Sequence, residues 1–222
     1  IISCRASHYG APHAIVWTFY FALSKSNRDS LECVRITFKL KTPVILLASN
    51  SPRRRQLLSL TGWTFEVNPA NVNESQLPNE RPDAYVLRLA QAKAWAALAV
   101  GTSAQVILAS DTTVVDGELI LGKPSGPEEA AVMLRSLRGR QHQVLTALAV
   151  LRVADELLLT DLCRTQVPMR DYTEAELQAY VSSGDPLDKA GAYAIQHAGF
   201  HPVAHLEGCF ASVMGLPLCH VV

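Results

Sequence analysis

The chain has 222 residues, of which 20 are basic and 20 acidic, giving a formal net charge of zero, and 49% are apolar. Such a balance provides no global field for DNA, RNA or an anionic membrane, so any attraction for anions must be local. The length allows one substantial core, or two lobes around a cleft, and five cysteines with no CxxC pair and no zinc-ligand spacing read as reduced thiols of a cytoplasmic protein.

Residues 1 to about 42 differ from the rest of the chain, with mixed cysteine, histidine and aromatic content and no sustained period. Their one apolar run, Ala14 to Leu23, is too short to span a bilayer as a helix. Arg5 ahead of this run suggests a signal peptide, but no convincing cleavage site follows. The segment is expected to be an extension outside the fold, translated from upstream of the start. A single domain is expected over residues 43–222.

Val44 to Ala48 is an apolar run with the length of a buried strand. Ser49-Asn50-Ser51 ends it, and Ser51-Pro52 predicts a helix start, because the hydroxyl caps free N–H groups and proline at the first position loses no hydrogen bond. Arg53, Arg54 and Arg55 fill the first turn, Leu57, Leu58 and Leu60 supply packing, and Gly62 closes the helix. Cations at a helix N-terminus oppose the dipole. Either they are solvated, or they share an anion with the free N–H groups, as guanidinium forks and strand–turn–helix corners do with phosphate.

From there strands alternate with helices, the order of an α/β domain. Thr64 to Val67 is a short strand, and the polar loop Asn68 to Asn79 carries Glu74. Pro82-Asp83 opens a long helix to about Val100, with Leu87, Ala90, Ala94 and Leu98 on its apolar face. Lys93 lies within that helix, where lysines are more often solvated than functional. Gln105 to Ser110 is a strand running into Asp111-Thr112. A hairpin follows with its turn at Asp116-Gly117, then Gly122-Lys123-Pro124, a helix from near Pro127 to Leu137, and strands around Gln143–Val153 and Leu157–Pro168. Thr173 to Glu176 forms a capping box for a helix to about Ser183. Gly184-Asp185-Pro186 turns the chain into the stretch Asp188 to Gln196, and Cys219 to Val222 shows no terminating helix.

Ser49 with Arg53 and Arg54, Asp111 with Thr112, and Lys123 are thus three polar strand-end corners, and ligands of α/β sheets bind outside the carboxyl ends of strands. Glu74 and Asp111 could supply the carboxylates of a divalent metal that also binds phosphates, with Arg53, Arg54, Lys93 and Lys123 neutralising a polyphosphate. Asp111 alone could equally be a turn or cap aspartate. Neither GxxxxGK[ST] nor GxGxxG occurs.

LASNSPRR, SDTTV, LGKP, RGRQHQV-T, DKAGAYAIQ and the late GLPL, in this order over about Val44 to Val222, resemble the Maf family of nucleoside triphosphate pyrophosphatases. The resemblance implies an α/β fold related to inosine triphosphate pyrophosphatases: a mixed twisted sheet with flanking helices and two lobes around a deep cleft. It also implies cleavage between the α- and β-phosphates with Mg2+ or Mn2+. By the same carry-over, Asp111 is the proton acceptor, with Glu74 and Lys93 beside it as catalytic residues. Ser49, Arg53, Arg54, Glu74, Lys93 and Lys123 handle phosphates and metal, Glu74 and Asp111 being the metal ligands. Arg53, Thr112 and Gln196 bear on substrate preference. Glutamine at 196 resembles the branch acting on dTTP and UTP, while glutamate there resembles the 7-methyl-GTP branch. An amide can both donate to and accept from a pyrimidine edge.

The chain departs from the family pattern at Asn73, where an acid is usual, and at Ser110, in place of alanine. His197 replaces a glycine, a change that could narrow the base pocket or force another turn. Phe210 replaces a tyrosine, and no asparagine occurs in Cys209 to Ser212. The expected partner is a nucleoside triphosphate, with no nucleic acid or membrane and with a homodimer left open. The alternative to the hydrolase is a septum-formation inhibitor in which nucleotide binding is regulatory.

Overall fold

The structure is a computed structural model that describes residues 3–7, 15–23, 32–40, 45–206 and 208–221. Val44, expected to open the first core strand, lies outside the described residues. Residues expected only as an extension contain three strands, β1 (Ser3–Ser7), β2 (Ile15–Leu23) and β3 (Glu32–Leu40). They pair antiparallel with one another in the order β1-β2-β3, a sheet separate from the main one. β2 is rich in β-branched and aromatic residues, which favour strands.

The main sheet begins with β4 (Ile45–Leu47), α1 (Pro52–Ser59), β5 (Phe65–Val67), α2 (Pro82–Val100) and β6 (Val106–Asp116). β7 (Leu119–Leu121), α3 (Pro127–Leu137), β8 (Gln141–Arg152), β9 (Leu157–Pro168) and α4 (Glu174–Ser182) come next. Strand order is β5-β4-β6-β8-β9, with β7 on β6. β5, β4 and β6 run parallel, whereas β7 and β8 are antiparallel to β6, so the sheet is mixed.

Period-two alternation sends the β4 side chains to opposite faces. Ile45 and Leu47 join Leu57, Leu58 and Leu216 under α1, while Leu46 and Ala48 join Val86, Ala90 and Ala94 under α2. The buried stripe of α2 is Val86, Leu89, Ala90, Lys93, Ala94 and Ala97. Leu87 and Leu98, expected on its apolar face with Ala90 and Ala94, pack against this core as half-buried flanks. A third core, with Val114, Leu134, Val144, Tyr172 and Tyr180, lies under α3 and α4 at the other end of β6 and β8. Two lobes of packing therefore share one set of long strands.

Three sequence expectations are corrected. β6 does not end at Asp111: it continues to Asp116, and Asp111 stands in mid-strand. Backbone pairing with β8 over ten registers, from Val106↔Arg152 to Val115↔Gln143, carries the strand past this polar residue. The hairpin turn is centred on Gly117 and Glu118, because Asp116 still pairs with Leu119. Gly117 has φ +65, as a turn with glycine at its first central position requires. The C-terminal stretch does form helix: α5 (Phe210–Met214) and the single turn α6 (Leu218–Val221), whose Val221 is buried. Among the described residues, no helix is long and apolar enough to cross a membrane.

Candidate active site

β4 pairs with β6 only through Leu47↔Leu108, and β7 pairs with it from Val114 onward. Residues 109–113 of β6 thus have no strand neighbour on that edge, and Asp111 sits at the middle of the gap. The chain leaving β4 turns into α1 beside it. Ser51 caps the helix, its hydroxyl accepting from the Arg54 amide, with Pro52 at the first position. Arg53 and Arg54 are half-buried and Arg55 is exposed.

Arg54 ties four segments together. Its Nε donates to the Gly215 carbonyl at 2.8 Å, Nη1 to Ser49 Oγ at 3.2 Å and Nη2 to Thr112 Oγ1 at 3.2 Å. Much of its donor capacity is therefore spent inside the protein, which leaves the remaining N–H groups for a ligand. Although the residue is half-buried as a whole, its guanidinium head is enclosed. Burial pulls its pKa down, partly offset by Asp111.

The central contact is a row of carboxylate, ammonium and carboxylate. Lys93 Nζ lies 2.6 Å from Asp111 Oδ1 and 2.6 Å from Glu74 Oε1. Lys93 is only 9% exposed and Asp111 7%, so the solvated reading of this mid-helix lysine is overturned by the buried carboxylate facing it. Burial raises the Asp111 pKa, opposed by Lys93 and Arg54, whereas Glu74, more open to water, is pulled down by its hydrogen bond to Lys93 against a burial effect that raises it. The two carboxylates thus differ: one prefers its proton more than an ordinary aspartate does, and the other less than an ordinary glutamate.

The loop carrying Glu74 is held by the same helix as Lys93. Tyr85 Oη donates to the Glu74 carbonyl at 2.9 Å and Arg88 Nη2 to the Ser75 carbonyl at 3.0 Å. Arg88 is itself forked onto Glu80, which closes the loop.

These groups line one cleft of about 540 Å³, shared by Ser49, Arg53, Arg54, Glu74, Lys93, Asp111, Thr112, Lys123 and Gln196. The nine residues singled out from sequence are brought together. Lys123 and Gln196 are exposed at its surface. His197 does not line the cleft: its ring packs against Tyr180 at 4.7 Å and its Nδ1 accepts from the Phe200 amide. Its φ is not positive, so the turn at 197 does not require glycine.

Among the described residues, no group of three or more His, Cys, Asp or Glu side chains could hold a metal unaided. Glu74 and Asp111 nevertheless converge on one cation, Lys93 Nζ. Two hard carboxylates beside an anion cradle match the protein share taken by Mg2+ or Mn2+ that arrives with phosphates. The donor set fits such an ion.

Several residues of the site have roles that the sequence does not reveal. Gly215 contributes only a carbonyl, and it comes from 104 positions beyond Asp111 (215 against 111). Ser110 Oγ donates to that same carbonyl at 2.9 Å. Tyr85 and Arg88 read as ordinary helix-surface residues. Lys189 also borders the cleft, but its ammonium is held by Asp185 and Asp188.

Residues 44–222 match the family model described as Maf-like protein. The chain is 46% identical over 178 residues to a dTTP/UTP pyrophosphatase of Anaeromyxobacter dehalogenans (strain 2CP-C), covering 79% of this chain and 89% of that one. It is 43% identical over 185 residues to the dTTP/UTP pyrophosphatase of Pasteurella multocida (79% and 91% covered). It is 42% identical over 180 residues to that of Dehalococcoides mccartyi (strain ATCC BAA-2266 / KCTC 15142 / 195; 81% and 80% covered). Among solved structures, the Staphylococcus aureus Ham1 protein is similar with a TM-score of 0.45 and 14% identity, covering 72% of this chain and 79% of that one.

Proposed function

The chain belongs to the Maf family, and on that footing we propose that it is a nucleoside triphosphate pyrophosphatase that hydrolyses dTTP and UTP to the nucleoside monophosphate and pyrophosphate. Relatives above 40% identity that carry this activity in their names support the substrate class. The observation that carries the chemistry is the Glu74–Lys93–Asp111 row on the wall of a cleft that also holds Arg53, Arg54 and Lys123.

The residues divide the work by their surroundings. Arg53, Lys123 and the uncommitted N–H groups of Arg54 bind and neutralise the phosphates, the guanidinium forks matching paired phosphate oxygens. Asp111 orients a water for attack on the α-phosphorus and takes its proton; a carboxylate whose pKa burial has raised is the better base for that step. The bond from the α-phosphorus to the bridging oxygen breaks and pyrophosphate leaves with the electron pair. Lys93 keeps Asp111 ionised before the step and faces the developing negative charge during it. Glu74 and Asp111, together with the substrate phosphates, would hold Mg2+ or Mn2+, which would supply further neutralisation of the phosphate oxygens. Gln196 at the mouth reads the base.

The test is pyrophosphate release by the full chain from a panel of nucleoside triphosphates, with and without Mg2+ or Mn2+. Metal-dependent release fastest on dTTP and UTP is expected. Release fastest on 7-methyl-GTP would overturn the substrate assignment, and no release from folded protein would overturn the hydrolase and favour the septum-related binding role.

A further inference from the structure

Outside the cleft, the C-terminal segment brings two thiols together. Cys209 is the N-cap of α5 and Cys219 lies in α6. Between them the chain reverses at a turn where Gly215, Leu216 and Pro217 are buried, Leu216 completely. That reversal sets Cys219 Sγ 3.0 Å from Cys209 Sγ, with the Cys219 thiol as donor. Cys219 is exposed and Cys209 partly so, whereas the third thiol of this region, Cys163, is buried.

The segment these thiols bracket is connected to the active site. Its Gly215 carbonyl accepts from both Arg54 Nε and Ser110 Oγ. Its Ser212 carbonyl accepts from Thr146 Oγ1 at 2.8 Å, and that hydroxyl lies 3.0 Å from Thr112 Oγ1. Anything that fixes residues 209–219 therefore fixes one side of the Arg54 clamp.

We infer that Cys209 and Cys219 are a covalent modification site, a thiol pair that a hydroperoxide converts to a reversible disulfide stapling the C-terminal segment against the active-site wall. The Cys209 thiolate, the sulfur that accepts in the contact, attacks the peroxide oxygen, forming the sulfenic acid and releasing an alkoxide or hydroxide that takes up a proton. The Cys219 sulfur then attacks the sulfenic sulfur; water leaves and the disulfide forms. Both thiols are oxidised by two electrons in total, and the peroxide is reduced to alcohol and water. The sulfurs need to close only from 3.0 Å to about 2.05 Å, so the folded chain reaches the bridge with little movement. This inference does not depend on which nucleotide is cleaved.

The test treats the full-length folded protein with hydrogen peroxide, alkylates the remaining thiols and maps the peptides by mass spectrometry, with melting temperature as a second readout. The expected product is an intramolecular Cys209–Cys219 peptide, lighter by two hydrogens, together with a Tm rise of about 5 to 10 °C that dithiothreitol reverses, as a cross-link closing a short loop should give. Cys219→Ser should abolish both. Bridges to Cys163, Cys4 or Cys33, an intermolecular disulfide, or over-oxidised Cys209 with no bridge would each overturn the site. A bridge with an unchanged or lowered Tm would overturn the staple.

Discussion

Lys93 and Asp111 form an ion pair of 2.6 Å at the wall of the cleft, each less than a tenth exposed. A buried carboxylate whose nearest cation is removed keeps its desolvation and loses its compensation. Lys93→Met should therefore push the Asp111 pKa still further up and move the acid limb of the rate–pH profile to higher pH. Turnover near neutrality should fall by about 100-fold or more. Asp111→Asn should lose turnover on the same scale while nucleotide affinity, measured by calorimetry, is retained. An unaltered rate in Asp111→Asn would show that another group takes the proton.

Arg54 holds Ser49, Thr112 and Gly215 at once. Lysine cannot reproduce a planar fork with three separate partners. Arg54→Lys should cost about 3 kcal/mol of stability in denaturant titrations and raise KM for the nucleotide. A variant as stable as the parent would mean that the clamp contributes nothing to folding.

Gln196 is an amide at the exposed mouth of the cleft. Gln196→Glu replaces a group that donates and accepts with one that, ionised, only accepts. Relative kcat/KM should shift away from dTTP and UTP, and an unchanged substrate profile would remove Gln196 from base recognition.

His142 is 3% exposed, with its Nε2 at 2.8 Å from Tyr193 Oη, and burial drops its pKa from 6.5 to about 4. Because the folded pKa lies below the unfolded one, the unfolded chain binds the extra proton between these values. Stability is fully present above 6.5 and is lost as pH falls toward 4. At about pH 4.5 this single group should cost about 2 kcal/mol relative to neutrality, and His142→Gln should flatten that part of the stability–pH curve. A slope equal to that of the parent would assign the acid sensitivity elsewhere.

Gly191 has φ +69, and a Cβ there would stand 2.9 Å from Val114 Cγ1. Gly191→Ala should cost about 3 kcal/mol from left-handed strain and overlap together, displacing the neighbouring Tyr193 and Ala194, which line the cleft. Adding Val114→Ala should recover the overlap portion in a double-mutant cycle. Full additivity would mean that the strain is purely backbone.

Much of this was legible beforehand because it depends on local chemistry. Ser51-Pro52 starts a helix, Thr173 with Glu176 builds a capping box, and apolar runs alternate with amphipathic ones, all properties of short windows. The resemblance brought the nine cleft residues into one site. What stayed hidden depends on tertiary pairing. Asp111 looked like a strand end because polar Ser110, Asp111 and Thr112 interrupt an apolar run, yet β8 carries the strand through them. Lys93 looked solvated because nothing in its own helix reveals the carboxylate opposite it. Gly215 opens the GLPL stretch and has φ +114, but it acts through its backbone carbonyl, and nothing in the sequence shows that Arg54 and Ser110 donate to it.

The shared ladder of β6 and β8 also sets how the molecule can move. It runs without interruption from Val106↔Arg152 to Val115↔Gln143, beneath both cores. A hinge between the lobes would have to tear this spine at its centre, next to Asp111. Asp111, paired with Ala147 in mid-ladder, is thereby anchored to the strands that both cores share, whereas Glu74 and Gln196 reach the cleft from segments outside the sheet.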